Sequence, residues 1–537
     1  VLAPQSPGAR FEIPLRLASP TSLVNLSEKP IEVAGALEGD AVLAKAGEGP
    51  VELSGSLSEF SGPIEVRKGD LIVNKGAAEG LGLRLLSLGD SGRLIINAPG
   101  EVLFRAQAEG PGSFAQQGSG NFTIDKNARL SGLKRIAFSS SGGKVAHRGE
   151  ITKADSLVFD GAGTLGEGSR TEVTGWLSIG ERHSGHLVME PGAKVALSGS
   201  GGLIVGSGGQ GPSTLTIDGG HLQLRTATLG NLQESLGVVL QNDGLIEKLP
   251  GDGVFSIGGA RPGSQVSRGA LVINGGEFRY DSVVSVGNYG RGSLIMHGGN
   301  CVFGANLIAG RFAGNSQHPA SGVIDIRGGT LLVEGENSHL ILGDEGQGTC
   351  SIRDAGQVIC DSVLLGAGSP RRPGTGHLNI LAGGELTTRE IRQINRLRAQ
   401  GTLFLDGGTL RAGAASADFV SGLDAFLIGP RGGTIDTGPF GVVVGLPISS
   451  LSGQGVAEIP VLDGGHGFIA PPQITFSGGD GNGASARAEL RDGTVTSITV
   501  TNPGQDYRSP PMFKVSGEDR GFRAGTPILT PINSGGP

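Results

Sequence analysis

A short string ending in paired glycines recurs along the middle of this chain. Leu215-Thr216-Ile217-Asp218-Gly219-Gly220 returns as Leu271-Val272-Ile273-Asn274-Gly275-Gly276, as Leu294-Ile295-Met296-His297-Gly298-Gly299 and as Ile324-Asp325-Ile326-Arg327-Gly328-Gly329. Looser copies run from Cys350 to Gly356 and from Leu378 to Gly384, and Leu403-Phe404-Leu405-Asp406-Gly407-Gly408 closes the series. The second glycines fall at 220, 276, 299, 329, 356, 384 and 408. A degenerate copy, Val238 to Gly244, splits the widest gap, so the unit is about 23 to 32 residues long. A period in this range marks a repeat architecture and outranks chain length as a guide to fold.

Each unit carries a second strand signal that also ends in glycine: Leu177-Ser178-Ile179-Gly180, Leu203-Ile204-Val205-Gly206, Val284-Ser285-Val286-Gly287, Leu340-Ile341-Leu342-Gly343 and Val363-Leu364-Leu365-Gly366. A polar, glycine-rich loop follows, as at Asn288 to Gly292 and Asp344 to Gly348. A unit this small cannot bury its own apolar side chains. Stacking identical units sets each strand about 4.8 Å from its copy and joins inward Leu, Ile and Val into rows. Alternate positions such as Thr216, Val272 and Asp325 then face outward. The expected fold is all-β, a long β-solenoid. Glycine accounts for 99 of 537 residues, which disfavours helices and suits tight corners of positive φ. It follows no strict third-residue period, so collagen is excluded.

Residues 43 to 73, with Phe60-Ser61-Gly62-Pro63-Ile64-Glu65-Val66 and Gly69-Asp70-Leu71-Ile72-Val73, resemble the autotransporter-associated β-strand repeat of bacterial surface passengers. The middle block resembles the related repeat of autotransporter and PEP-CTERM surface proteins. The stretch 401 to 448, including Asp418-Phe419-Val420-Ser421-Gly422-Leu423 and Gly433-Thr434-Ile435-Asp436-Thr437, is similar to the closing segment of such proteins. The resemblance implies a right-handed parallel β-helix that is surface-exposed or shed. No sequence pattern of a membrane β-barrel or an apolar sorting helix accompanies it.

The pattern changes near residue 459. Val461 to Pro472 reappears 39 residues later as Val500 to Pro511, and Asp492-Gly493 joins a hairpin-like pair, Ala484 to Leu490 and Thr494 to Val500. We read a duplicated all-β module that caps the solenoid or docks it, with Phe468 and Tyr507 at equivalent core positions. The expected organisation is an extended arm over 1–29, solenoid coils over 30–170, the repeats over 171–458, the module over 459–520 and a tail over 521–537.

Both terminal segments look extended. Phe11, Ile13, Leu15 and Leu17 alternate with polar residues and have no obvious local partner, and the tail carries Ile528, Leu529 and Ile532. These seven are the expected subunit-docking residues, adding strands to a neighbouring copy in a homopolymer. The run Arg389, Arg392, Arg396 and Arg398, with Ile391, Ile394 and Leu397 between, has a helix-like spacing and is a weaker candidate for binding an acidic partner, with a solvated surface as the alternative.

Chemistry is thinly represented. Asp218, Asp243 and Asp406 sit beside corner glycines, where Asp satisfies local backbone donors. Cys301, Cys350 and Cys360 form no metal pattern and read as apolar fillers, one disulfide being the alternative. His183 and His186 are close but lack a third ligand, and Gly478 to Gly483 is a single echo of a calcium-binding repeat. No cofactor is expected, structural calcium apart, and no enzyme activity. The net charge of −7 disfavours nucleic acid, and no stretch approaches the ~20 apolar residues of a membrane span. The chain opens on Val1, which we read as a processed, exported chain of the cell surface or exterior. The expected function is a self-associating structural scaffold. A glycan-binding or glycan-cleaving β-helix and a phage-like fibre are the alternatives.

Overall fold

The computed structural model describes all residues except 1–7, 209–210, 233, 260, 263–266, 314–319, 336, 396–397, 516–520 and 533–537, and leaves the side chains of 140–141 undescribed. The fold is an all-β solenoid of stacked parallel coils, with one short helix, Lys75–Glu79, among the described residues. Two compact units divide it: Val1–Arg225 with Leu249–Gly251, and Thr226–Lys248 with Asp252–Pro537.

Within each unit a coil has three walls. Wall 3 is the strand preceding the paired glycines, wall 1 the strand after them, and wall 2 the strand that ends in glycine. In the second unit, Arg268–Ile273, Arg291–Met296, Ser321–Ile326 and Gln347–Ile352 stack as wall 3, and the repeats align residue for residue: Leu271 with Leu294, Leu294 with Ile324, Ile324 with Cys350. Val284–Val286, Leu307–Ala309 and His339–Leu342 stack as wall 2. In the first unit, Leu177 pairs with Leu203 in wall 2 and Leu187 with Leu215 in wall 3.

Within the extended arm expected over 1–29, the described strands between Arg10 and Val24 instead form a solenoid coil. Arg10–Phe11 pairs with Ile31–Val33, Leu15–Leu17 with Leu37–Gly39, and Thr21–Val24 with Leu43–Ala46, all parallel. Its partner is local after all, at the coil's own period: Phe11 lies beside Val33, 22 residues on.

Inward side chains form the core rows. In the first unit Phe104, Phe114, Phe122, Phe138 and Phe159 make a continuous aromatic stack, with ring centroids 5.0–6.3 Å apart. In the second, Phe255, Phe278, Tyr280 and Phe303 do the same. Cys301, Cys350 and Cys360 are buried free thiols in these walls, with no disulfide between them. Burial pushes the Cys360 thiol up to about 12, against a hydrogen bond to Thr388. His147 is also an inward wall residue, fully buried, with Nε2 3.4 Å from the Arg170 carbonyl oxygen. Burial lowers its pKa to about 4, so the ring is neutral.

The sharpest constraint lies where wall 2 ends. Gly287 has φ +72°, and a β-carbon there would sit 2.2 Å from the carbonyl oxygen of Ser321 in the next coil. Gly322 answers from that coil, where a β-carbon would lie 2.1 Å from the Val286 carbonyl oxygen. Two successive coils interlock through glycines at this corner, and Gly343 repeats the geometry against Thr375.

Two outcomes follow. Gly287→Ala forces a left-handed backbone, costing about 1–3 kcal/mol before the clash is counted. The urea midpoint of this unit therefore falls, whereas Gly441→Ala, with open space around it, leaves the midpoint unchanged. For His147, the unfolded chain takes up a proton below pH 6.5 that the folded chain refuses until about pH 4, so stability falls as pH drops through that window. The loss is about 3 kcal/mol, and denaturant titrations of His147→Leu show a correspondingly flatter pH profile.

Candidate interaction site

The rows that fill the core must stop somewhere. In the second unit the last coil is Thr434–Asp436, Val442–Val444 and Ile448–Ser450, and each strand pairs with the preceding coil on one edge only among the described residues. Its side chains continue buried rows into solvent. Leu410 is 0% exposed while its neighbour Ile435 is half-buried; Phe426 is 1% exposed and its neighbour Ile448 is 46% exposed. Val443 is exposed outright.

The first coil of the first unit has the same character. Its three strands have one described partner each, and Phe11 and Leu15 are half-buried beside the fully buried Val33 and Leu37. Ile13 is exposed and Leu17 buried. The four N-terminal docking residues expected from sequence therefore belong to a coil edge.

The C-terminal docking residues are placed differently. Ile528–Pro531 pairs antiparallel with Gln454–Glu458, setting Leu529 beside Val456. Ile532 packs on Leu381, Phe404, Leu427 and Leu451. This segment is spent on its own chain, because the outer face of wall 3 is apolar there and needs a cover.

The module lies against wall 3 of its own unit, not over the last coil, which corrects the expectation of a cap. Ser485–Arg491 and Thr494–Asn502 form the expected hairpin, with Asp492 and Gly493 both at positive φ. Phe468 and Tyr507 are both buried, each in its own apolar cluster. Gln473 Nε2 donates to the carbonyls of Gly292 and Ser321. Asn379 Nδ2 donates to Ser485 Oγ at 3.1 Å, and Asn502 Nδ2 to Asn379 Oδ1 at 3.3 Å. A cavity of about 50 Å³ remains between wall and module.

A charge cluster borders that cavity. Asp325, outward on its strand but 5% exposed, accepts from Arg353 Nε at 3.0 Å and Arg327 Nε at 2.8 Å. Arg327 also reaches Glu489 of the module, 3.6 Å away. Burial alone raises the Asp325 pKa, but the hydrogen bond from Arg353 and the two arginine charges outweigh it and hold the carboxyl below its ordinary value. Sequence reading missed this cluster. Glu489 is 164 residues from Asp325, and no local pattern connects them.

Arg389 and Arg392, the first two arginines of the run, lie on a strand and not on a helical turn. Glu385–Gln393 bends at Arg389 and Glu390, which both face outward, so the buried positions fall at 386, 388, 391 and 393. That extra corner residue imitates a helical spacing. Arg389 grips both oxygens of Asp361 at 2.9 Å, and Arg392 pairs with Glu390 at 3.2 Å. Arg398 is exposed, and Arg396 lies outside the described residues. Self-pairing leaves little net positive charge at Arg389 and Arg392.

Asp406, expected to serve local backbone donors, accepts the Arg431 backbone N–H of the next coil at 2.8 Å and pairs with the Arg431 guanidinium at 2.7 Å. His186 Nδ1 lies 2.9 Å from Thr214 Oγ1 of the next coil, and His183 is exposed. In the Gly478 to Gly483 turn, Asn482 and Gln505 exchange backbone hydrogen bonds. Among the described residues, no group of three or more His, Cys, Asp or Glu is arranged to hold a metal, and no helix is long and apolar enough to cross a membrane. No family model, curated protein or solved structure matches the chain.

Asp325→Ala leaves Arg353 and Arg327 without their shared partner, and breaking a buried pair costs about 3–5 kcal/mol. Limited proteolysis is expected to cut the exposed linker at 452–454 faster in this variant than in the wild type.

Proposed function

We propose that this protein is a structural scaffold of the cell surface or exterior that elongates by adding coil to coil between copies. The carrying observation is the uncapped last coil of the second unit, with Ile435, Val444 and Ile448 at the ends of otherwise buried rows. Exposed strand edges are ordinarily blunted by charge, proline or a covering element. Here the C-terminal module, the obvious cover, sits on wall 3 and leaves the edge open.

The partner surface is the first coil of a second copy. Its strands Arg10–Phe11, Leu15–Leu17 and Thr21–Val24 offer three edges of the parallel polarity that stacking requires, with Phe11 and Leu15 at the row ends. Such contact is heterologous, which gives head-to-tail series of copies instead of isologous dimers. The resemblance to surface-passenger repeats supports the cellular setting.

The wild-type protein should sediment as a concentration-dependent series of oligomers. Because Gly445 N–H is given to Val420 of the preceding coil, the neighbouring Val444 N–H points to the open edge. Val444→Pro and Ile448→Lys therefore leave the chain folded by circular dichroism but block addition, and a small proportion of either shortens wild-type chains. Wild-type protein that stays monomeric at every concentration would refute the reading.

A further inference from the structure

On wall 1 of the first unit, five neighbouring strands carry an open groove of about 420 Å³. One column of outward side chains runs along it in strict register: Arg129 beside Glu150, Glu150 beside Arg170, Arg170 beside Lys194, Lys194 beside His221. A second column supplies Thr152, Glu172 and Gln223. Polar side chains line both sides, and the strand backbones form the floor.

The charges in the first column are not balanced along their length. Arg129 and Glu150 are a loose pair, 3.9 Å apart and both about half exposed. Arg170 and Lys194 stand directly opposite each other on adjacent strands, both exposed, and neither meets a carboxylate at ion-pair distance among the described residues. Like charges so placed destabilise a sheet. Some coils stack opposite charges, as Arg93 does on Asp70 and Arg389 on Asp361, and others stack like charges, as Glu32 beside Glu52. Arg170 and Lys194 are a like pair that lines the groove.

We infer that this groove binds a linear acidic polysaccharide, with Arg170 and Lys194 holding one of its carboxylates. Two cations about 4.8 Å apart can hold the two oxygens of one carboxylate between them. Glu150, Glu172, Thr152 and Gln223 supply acceptors and donors for hydroxyls. Five strands span on the order of 20 Å, room for about four sugars. A nucleic acid fits worse: no aromatic ring lines the groove to stack a base. The inference stands independently of end-to-end assembly.

Titration calorimetry of the full chain with a hexameric oligogalacturonate tests it. Binding should weaken as salt rises, and Arg170→Ala and Lys194→Ala should each lower affinity about tenfold or more, the scale of a charge-assisted hydrogen bond. Lys194→Arg should retain it. Both positions are exposed, so folding is undisturbed, and Arg508→Ala on the second unit, also exposed, should leave affinity unchanged. Failure of the wild type to bind, equal binding by the alanine variants, or equal affinity for a neutral cello-oligosaccharide or for single-stranded DNA overturns the inference. None of these outcomes depends on oligomeric state, which sedimentation reads separately.

Discussion

Everything in this fold depends on the closeness with which one coil's backbone meets the next at the glycine corner. Parallel strands in a solenoid hydrogen-bond along the whole wall, but the wall-to-wall turn must repeat without drifting, or the register of all three walls is lost. At Gly287 and Gly322 the carbonyl oxygens of Ser321 and Val286 occupy the space a β-carbon would need. The corner is thus locked by absence of side chain on both coils at once. Because each lock joins only neighbours, stability accumulates coil by coil, as in other repeat architectures.

That locality explains how much the sequence disclosed. The repeats, their glycine phases and their inward rows are all set within one or two coils, so the strings at 271–276, 294–299 and 324–329 could be laid on each other and found in register. The N-terminal strand escaped because its coils lack the paired glycines. Alternation of Phe11, Leu15 and Leu17 identified strand but not partner. Lys45 is a further case: it faces inward beside Leu43 and is tolerated because its Nζ donates to the carbonyls of Gly47 and Lys68, each at 2.6 Å. Burial lowers its pKa to about 8. Nothing in its local sequence announces that arrangement.

The candidate surfaces were less legible, for a physical reason. An outward position in a coil is under no packing constraint, so its residue type is free unless something covers it. Asp325 reads as an ordinary exposed acid, and Ile295 as an outward apolar residue without purpose, until the module is seen to lie over that wall. The arginine run shows the opposite failure, where a corner residue shifts the strand parity and mimics a helix.

The lateral position of the module bears directly on what the last coil can do. A solenoid end carries unpaired donors, acceptors and truncated rows, and a cap normally removes all three costs. Here wall 3 offered a competing surface: an apolar strip at Leu381, Phe404 and Leu427, and the charge pair of Asp325 with Arg353 a few coils away. Covering that strip with Leu451 and Ile532 holds the chain to the side as soon as the last coil ends. In the terminal coil, as in the first coil of the first unit, half-buried apolar rows and open backbone edges then coincide. In an additive architecture a missing neighbour is worth one coil interface, and the only surface shaped to restore it is another coil.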